Sequence, residues 1–232
     1  MGSYLRLVLE GPLLAFGGEA VDSLGVIEAF PAASMLTGLL ANALGWQRHH
    51  RAALARLQQR LHYAARIDRE GQSLTDFQTA QLGASDQGWT TRGVVEGRAG
   101  ATYGSPHIRR RDHDADKRVV VVLRLDDVEE LPTLADLATA LDEPARPLFL
   151  GRKPCLPSSR INAGIVEAES LLDALASLPP PANTATRVLL PDSVPYQDGD
   201  EERPWSDRRN WRTGVHGGTR TIRIRHSPGS AP

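Results

Sequence analysis

The segment Lys117-Arg-Val-Val-Val-Val-Leu-Arg-Leu125 constrains the fold of this chain more than any other. Consecutive β-branched residues suit the pleated surface of a sheet, and an unbroken apolar run leaves no face for water. The segment therefore predicts a central strand covered on both sides, which demands neighbouring strands and a layer above and below. Apolar stretches elsewhere supply them. Tyr4-Leu-Arg-Leu-Val-Leu9 and Leu61-His-Tyr-Ala-Ala-Arg-Ile67 read as strands, the second closed by the turn Asp68-Arg-Glu-Gly71. Further strands are predicted at 148–150, 161–167 and 186–190, and Thr221-Ile-Arg-Ile-Arg225 alternates as a half-buried strand does.

Helical spacing fills the gaps between these strands. Ser34 is placed to cap a helix over 35–44, with Gly45 as its terminator. Leu54, Leu57 and Leu61 recur at helical intervals over 50–60. Thr133 caps a helix over 134–142 that Pro144 and Pro147 end, and another is predicted over 169–177. The order strand, helix, strand, arm, strand, helix, strand is the βαββαβ pattern of an α+β, ferredoxin-like (RRM-like) fold with an insertion. The core is assigned to 1–74 and 114–202, an inserted β-hairpin arm to 75–113, and a β-rich, basic C-terminal strand and tail to 203–232. Residues 75–106 are short of large aliphatics and carry Trp89 and Tyr103 as isolated aromatics, which fits a projecting arm better than packed core.

Charge narrows the function. Lys and Arg total 27 against 28 Asp and Glu, so any polyanion must be met by a local cluster rather than a global field. Cys155 is the only cysteine, which excludes an internal disulfide and a cysteine-built zinc site. No cofactor motif is present. No stretch approaches the ~20 apolar residues that span a bilayer, so no membrane role is expected and the cytoplasm is the default compartment.

Three places carry candidate chemistry. The loop Glu10-Gly-Pro-Leu-Leu-Ala-Phe16-Gly17-Gly18 followed by the helix at Ser34 brings backbone amides near a helix N-terminus, which suits phosphate. Phe16, Gly17, Ser34 and Thr37 would line that corner, although Phe16 also reads as core and Ser34 as a simple cap. Arg109, Arg110 and Arg111 form a cationic run on an extended segment, where at most two can face one strand of RNA. Asp112, Asp114 and Asp116 follow at once, so a self-neutralising surface turn is the competing reading. Arg152 and Lys153 sit on a proline-stiffened loop, as a basic turn or as a binding loop beside the sheet. Trp89 and Tyr103 read as base-stacking residues or as packing contacts, and the Arg/Trp mixture around Trp205-Ser-Asp-Arg-Arg-Asn-Trp211 resembles a nucleic-acid surface in composition alone.

These pieces together resemble a known family. Tyr4-Leu-Arg-Leu-Val-Leu-Glu-Gly-Pro-Leu-Leu-Ala-Phe-Gly17, Phe30-Pro31, Ser34-Met-Leu-Thr-Gly-Leu-Leu-Ala-Asn-Ala-Leu-Gly45, Thr75-Asp-Phe-Gln-Thr79, His107-Ile-Arg-Arg-Arg-Asp112 and Leu148-Phe-Leu-Gly-Arg-Lys-Pro-Cys155 stand in the order and spacing of the CasD-type (Cas-five) subunits of type I-E CRISPR surveillance (Cascade) complexes, in the repeat-associated, RRM-like superfamily. The resemblance covers roughly residues 1–160 and leaves the C-terminal thirty unplaced. It implies a palm with an inserted thumb that grips the 5′ handle of the crRNA, with Phe16, Gly17, Ser34, Thr37, Arg109, Arg110, Arg111, Arg152 and Lys153 as the RNA-binding residues. The implied partners are the crRNA handle, the adjacent backbone subunit and the large subunit that reads the target-adjacent motif, with target DNA met indirectly.

The resemblance also frames the alternative. Some relatives cut precursor crRNA without metal, using a tyrosine, a lysine and a histidine. Tyr63 and Lys153 exist here, but no spacing brings them together with a histidine, and His49-His50 point apart at a helix end. A non-catalytic protein is therefore expected. A small-molecule-binding ferredoxin-like protein is the third reading, which the glycine-rich corner alone allows.

Overall fold

The computed structural model describes residues 1–18, 24–81, 106–179 and 186–227. Strand β1 (Gly2–Glu10) leads through the short β2 (Leu13–Leu14) and β3 (Leu24–Gly25) into α1 (Ala33–Ala43) and α2 (Arg51–Arg60). Next come β4 (Leu61–Arg69), β5 (Gln72–Ala80), β6 (His107–Ala115), β7 (Arg118–Leu125) and α3 (Leu134–Asp142). The remainder is β8 (Asn162–Ala168), α4 (Leu171–Ala176), β9 (Thr186–Pro191), β10 (Glu201–Trp205) and β11 (Arg220–Ser227).

The main sheet runs β10-β11-β9-β4-β7-β1-β8, antiparallel at every pairing. Its β8-β1-β7-β4 portion is the strand order of a ferredoxin-like fold, and the three remaining strands widen it past β4. The valine run sits where its composition requires, with β1 on one side and β4 on the other. Its alternation feeds two cores. Val119, Val121, Leu123 and Leu125 join the cluster that includes residues of α1, α2 and α3, while Val120 and Val122 join the one that includes Leu171, Ala174 and Leu175 of α4. Each such side chain contributes about 1.5–3 kcal/mol by leaving water, which is why both faces must be covered.

Local signals explain three of the helix ends. Thr133 and Asp136 form a reciprocal capping box on α3, and Ser170 caps α4 through the Asp173 amide. At the end of α1, Gly45 adopts φ +79°. The amide of Gly45 donates to the Asn42 carbonyl and that of Trp46 to the Ala41 carbonyl, the paired bonds of a Schellman stop. The start of α1 departs from expectation: the helix begins at Ala33 and no side chain of its own sequence caps it. Leu148–Leu150 also differs, forming no strand. There the Leu150 amide donates to the Cys155 carbonyl at 2.7 Å, and Gly151, at φ +97°, turns the chain too soon for a ladder.

A second sheet lies around β6. β5 pairs along its whole length, from Gln72↔Ala115 to Ala80↔His107, while β2 and β3 pair with it through two residues each. Trp89 and Tyr103 lie outside the described residues.

Candidate nucleic-acid interface

The loop after β2 passes through Ala15, Phe16 and Gly17, held from two directions. The Ala15 amide donates to the Leu150 carbonyl at 3.1 Å, and the Glu28 amide donates to the Phe16 carbonyl at 2.6 Å. Gly151 makes the first contact possible, because a Cβ there would lie 1.9 Å from the Ala15 carbonyl oxygen. The loop and α1 border a cleft of about 610 Å³ whose lining includes Gly17, Gly18, Ser34, Arg48, Arg152 and Trp211.

Of the residues singled out from the sequence, Gly17, Ser34 and Arg152 meet at this cleft. Phe16 and Thr37 are fully buried instead. The Phe16 ring belongs to the core, and Thr37 Oγ1 donates to the Ala33 carbonyl at 2.8 Å. Ser34 Oγ lies 3.1 Å from Nε2 of His216, a partner from the C-terminal segment.

The amides at the start of α1 are already occupied. Ala33 N donates to Oδ2 of Asp207 at 3.1 Å and Ser34 N to its backbone carbonyl at 2.9 Å. Asp207 is thus the cap that no nearby residue supplies, and a carboxylate at this end complements the helix dipole. It is buried and neutralised: Arg220 donates to both oxygens, at 2.9 and 2.7 Å. Arg220 also donates to the Tyr63 hydroxyl at 3.1 Å, and that hydroxyl donates to the Pro31 carbonyl at 2.8 Å. Burial, with the Asp207 charge adding to it, holds the Tyr63 pKa well above the ordinary phenol value. Burial works to lower the Arg220 pKa, but its bonds to Asp207 and Tyr63 outweigh that and keep it raised.

The arginine triplet lies on β6. Arg110, opposite Phe77 of β5, places its guanidinium over that ring at 5.9 Å, while Arg109 and Arg111 stand opposite Gln78 and Asp76. The neighbouring aspartates are committed elsewhere: Asp112 accepts from Thr75, Asp114 pairs with Lys117 at 2.7 Å, and Asp116 with Arg69 at 2.8 Å. None of the three arginines has a carboxylate partner among the described residues, and all are exposed. Arg152 reaches across to this sheet, donating to the Asp112 carbonyl and the Gly25 carbonyl at 2.7 Å each. Partial burial, reinforced by the adjacent positive charge of Arg111, pulls the Arg152 pKa below the usual arginine range. Like charges this close, offset only in part by Asp112, favour an anion between them. Lys153 is exposed on the same loop and does not line the cleft.

Sequence reasoning missed Asp207 and Arg48. Asp207 has no local signature, whereas Arg48 belongs to the visible basic run Arg48-His-His-Arg51, in which the paired histidines are the more conspicuous feature. His50 Nδ1 accepts from the Gln47 amide at 3.0 Å, and no group of three or more His, Cys, Asp or Glu among the described residues is placed to hold a metal. No helix among the described residues is long and apolar enough to cross a membrane.

Comparison with known proteins follows the same lines. A family model described as CRISPR-associated protein (Cas_Cas5) matches residues 4–223. The Cascade subunit CasD of Escherichia coli (strain K12) is 28% identical over 180 residues, which cover 78% of this chain and 79% of that protein. A solved structure described as a CRISPR RNA-guided surveillance complex contains a chain that superposes with a TM-score of 0.72 at 20% identity, covering 97% of this chain and 90% of that one. Another, described as a crystal structure of a Cas protein, gives a TM-score of 0.59 at 24% identity, over 99% of this chain and all of the other. Those two likenesses concern the fold. The family match runs well past residue 160, where the resemblance read from the sequence ends, and takes in most of the arginine- and tryptophan-rich C-terminal segment.

Proposed function

The chain belongs to the CRISPR-associated Cas5 family, and we propose that it is a non-catalytic, RNA-binding structural subunit of a Cascade surveillance complex. In this reading it grips the 5′ handle of the crRNA and links the adjacent backbone subunit to the large subunit. Target DNA is met only through those partners. The observation that carries the reading is the set of guanidiniums on β6, without carboxylate partners among the described residues, beside Arg152 and next to a cleft opened by glycines. Arginine addresses phosphate through paired N–H donors, and a single strand held this way needs no base-specific contacts. The inserted arm, which includes β5 and β6, serves as the thumb and the main sheet as the palm.

The environment of Tyr63 supports a non-catalytic role. A tyrosine acting in RNA cleavage must present its hydroxyl to the substrate, whereas this one is buried, donates to a carbonyl and has a raised pKa. The test is co-expression with guide RNA and partner subunits. The intact assembly is expected to retain crRNA, and shortening the 5′ handle should release this subunit. Labelled repeat RNA incubated with the purified chain is expected to remain whole; discrete cleavage would defeat the reading.

A further inference from the structure

A second cleft of about 960 Å³ adjoins the first, with Arg209 and Trp211 lining both. Its walls come from α2 and from the loop between β10 and β11, and among the described residues no carboxylate lines it. Arg51, Arg208 and Arg212 are exposed at this cleft, and none has a hydrogen-bonded or ionic side-chain partner among the described residues.

Arg51 opens α2, and the loop that presents Arg208 and Arg212 is firmly placed. The Gln58 side chain clamps the Arg209 backbone with both halves of its amide, donating to the carbonyl at 3.1 Å and accepting from the N–H at 3.0 Å. Asp207, two residues earlier, is fixed by Arg220 and the start of α1. Asn210 Oδ1 accepts from the amides of Arg212 and Thr213, closing the turn. Within this frame Arg209 lies over the Trp211 ring at 5.5 Å, and Trp211 Nε1 is buried without an acceptor among the described residues.

From these observations we infer that the Arg51–Arg208–Arg212 cleft is a second nucleic-acid site, which takes the phosphodiester backbone of a strand separately from the β6 surface. Guanidiniums held at the start of α2 and on a rigid loop, and left without carboxylates among the described residues, offer paired donors to phosphate oxygens. RNA and DNA both supply that backbone, so the source is settled by the test.

Fluorescence anisotropy of the full chain would be measured across salt concentrations with a single-stranded RNA homopolymer and, in parallel, with a DNA duplex. The measurements use wild type and a background carrying Arg109→Ala, Arg110→Ala and Arg111→Ala. Binding should persist in that background, and adding Arg51→Ala, Arg208→Ala and Arg212→Ala should lower the log–log salt slope by about 0.7 per lost contact on RNA or about 0.9 on duplex DNA. The probe whose drop, divided by its own value per contact, corresponds to more lost contacts identifies the natural source. Replacing the same three residues by Lys should keep most of the slope. Unaltered thermal melts would show that the fold is intact. An unchanged slope and affinity on both probes after the three alanine substitutions would overturn the inference, as would wild-type protein that binds neither probe. The background variant isolates this cleft, so loss of handle recognition at β6 leaves the outcome at this cleft unaffected.

Discussion

Two regions of this molecule use the same residue and do opposite things with it. Along the edge formed by β9, β11 and β10, Arg187 pairs with Glu70 at 2.6 Å, Arg223 with Glu202 at 2.5 Å, and Arg225 with Asp200 at 2.8 Å. On the cleft side, Arg48, Arg51, the β6 triplet, Arg208 and Arg212 reach no carboxylate among the described residues. A net charge of −1 therefore conceals a sorted surface. At the sheet edge arginine closes the structure on itself, while around the clefts it stays available. The placement of acidic residues separates the two uses, since arginine is plentiful in both.

The sharpest way to break this comparison is at Asp207, where a paired arginine underpins the cleft side. Asp207→Ala strands the Arg220 guanidinium and uncaps α1, so unfolding in urea should show a loss of about 3–5 kcal/mol. A loss below about 1 kcal/mol would mean the network is ornamental. Gly151→Ala comes next. It forces a Cβ into the Ala15 carbonyl at a left-handed backbone position, so about 2–3 kcal/mol should go, together with the placement of Arg152. Crystallography or chemical-shift mapping should show the loop 148–155 displaced from Ala15.

The comparison sharpens at β6. Arg109→Ala, Arg110→Ala and Arg111→Ala should change folding stability by no more than about 0.5 kcal/mol each, since the side chains are exposed and reach no carboxylate among the described residues. RNA binding should weaken, with the salt slope falling by about 0.7 per lost phosphate contact. Arg223→Ala, from the paired edge, should leave that slope unchanged. If both variants shift it equally, the sorting of charges has no bearing on binding.

The smallest effect is a pH dependence. Arg225 donates to both oxygens of Asp200 and holds its carboxyl at about 2, below the ordinary value of 3.8. A depressed carboxyl stabilises the fold fully above the unfolded-state pKa and loses that contribution as pH falls toward 2. Urea midpoints should therefore drop more between pH 4.5 and 2.5, about the window these values set, in wild type than in Arg225→Ala. Identical profiles would show that the pair adds nothing.

What can be read from the sequence is what depends on neighbours in the chain. The valine run announces a covered central strand because its composition alone excludes water, and the Thr133–Asp136 box is written within four positions. Gly45 marks the end of α1 for the same reason. The start of α1 escapes such a reading because its cap, Asp207, lies 174 residues from Ala33. Arg109–Arg111 stand out at once, but whether Asp114 and Asp116 neutralise them is undecidable until Lys117 and Arg69 are seen to hold those carboxylates. Phe16 and Thr37 belong to the corner by sequence position but are turned into the core by packing. Sidedness of this kind is settled by tertiary contacts.

The central claim is that the arginines without carboxylate partners are the ones RNA covers. Modifying the chain with phenylglyoxal, free and bound to guide RNA, and quantifying each arginine by mass spectrometry tests it most directly. The account predicts strong protection by RNA at Arg109 and Arg111, with Arg187, Arg223 and Arg225 unaffected. Protection concentrated on that paired edge, with the β6 residues equally reactive in both states, would contradict it.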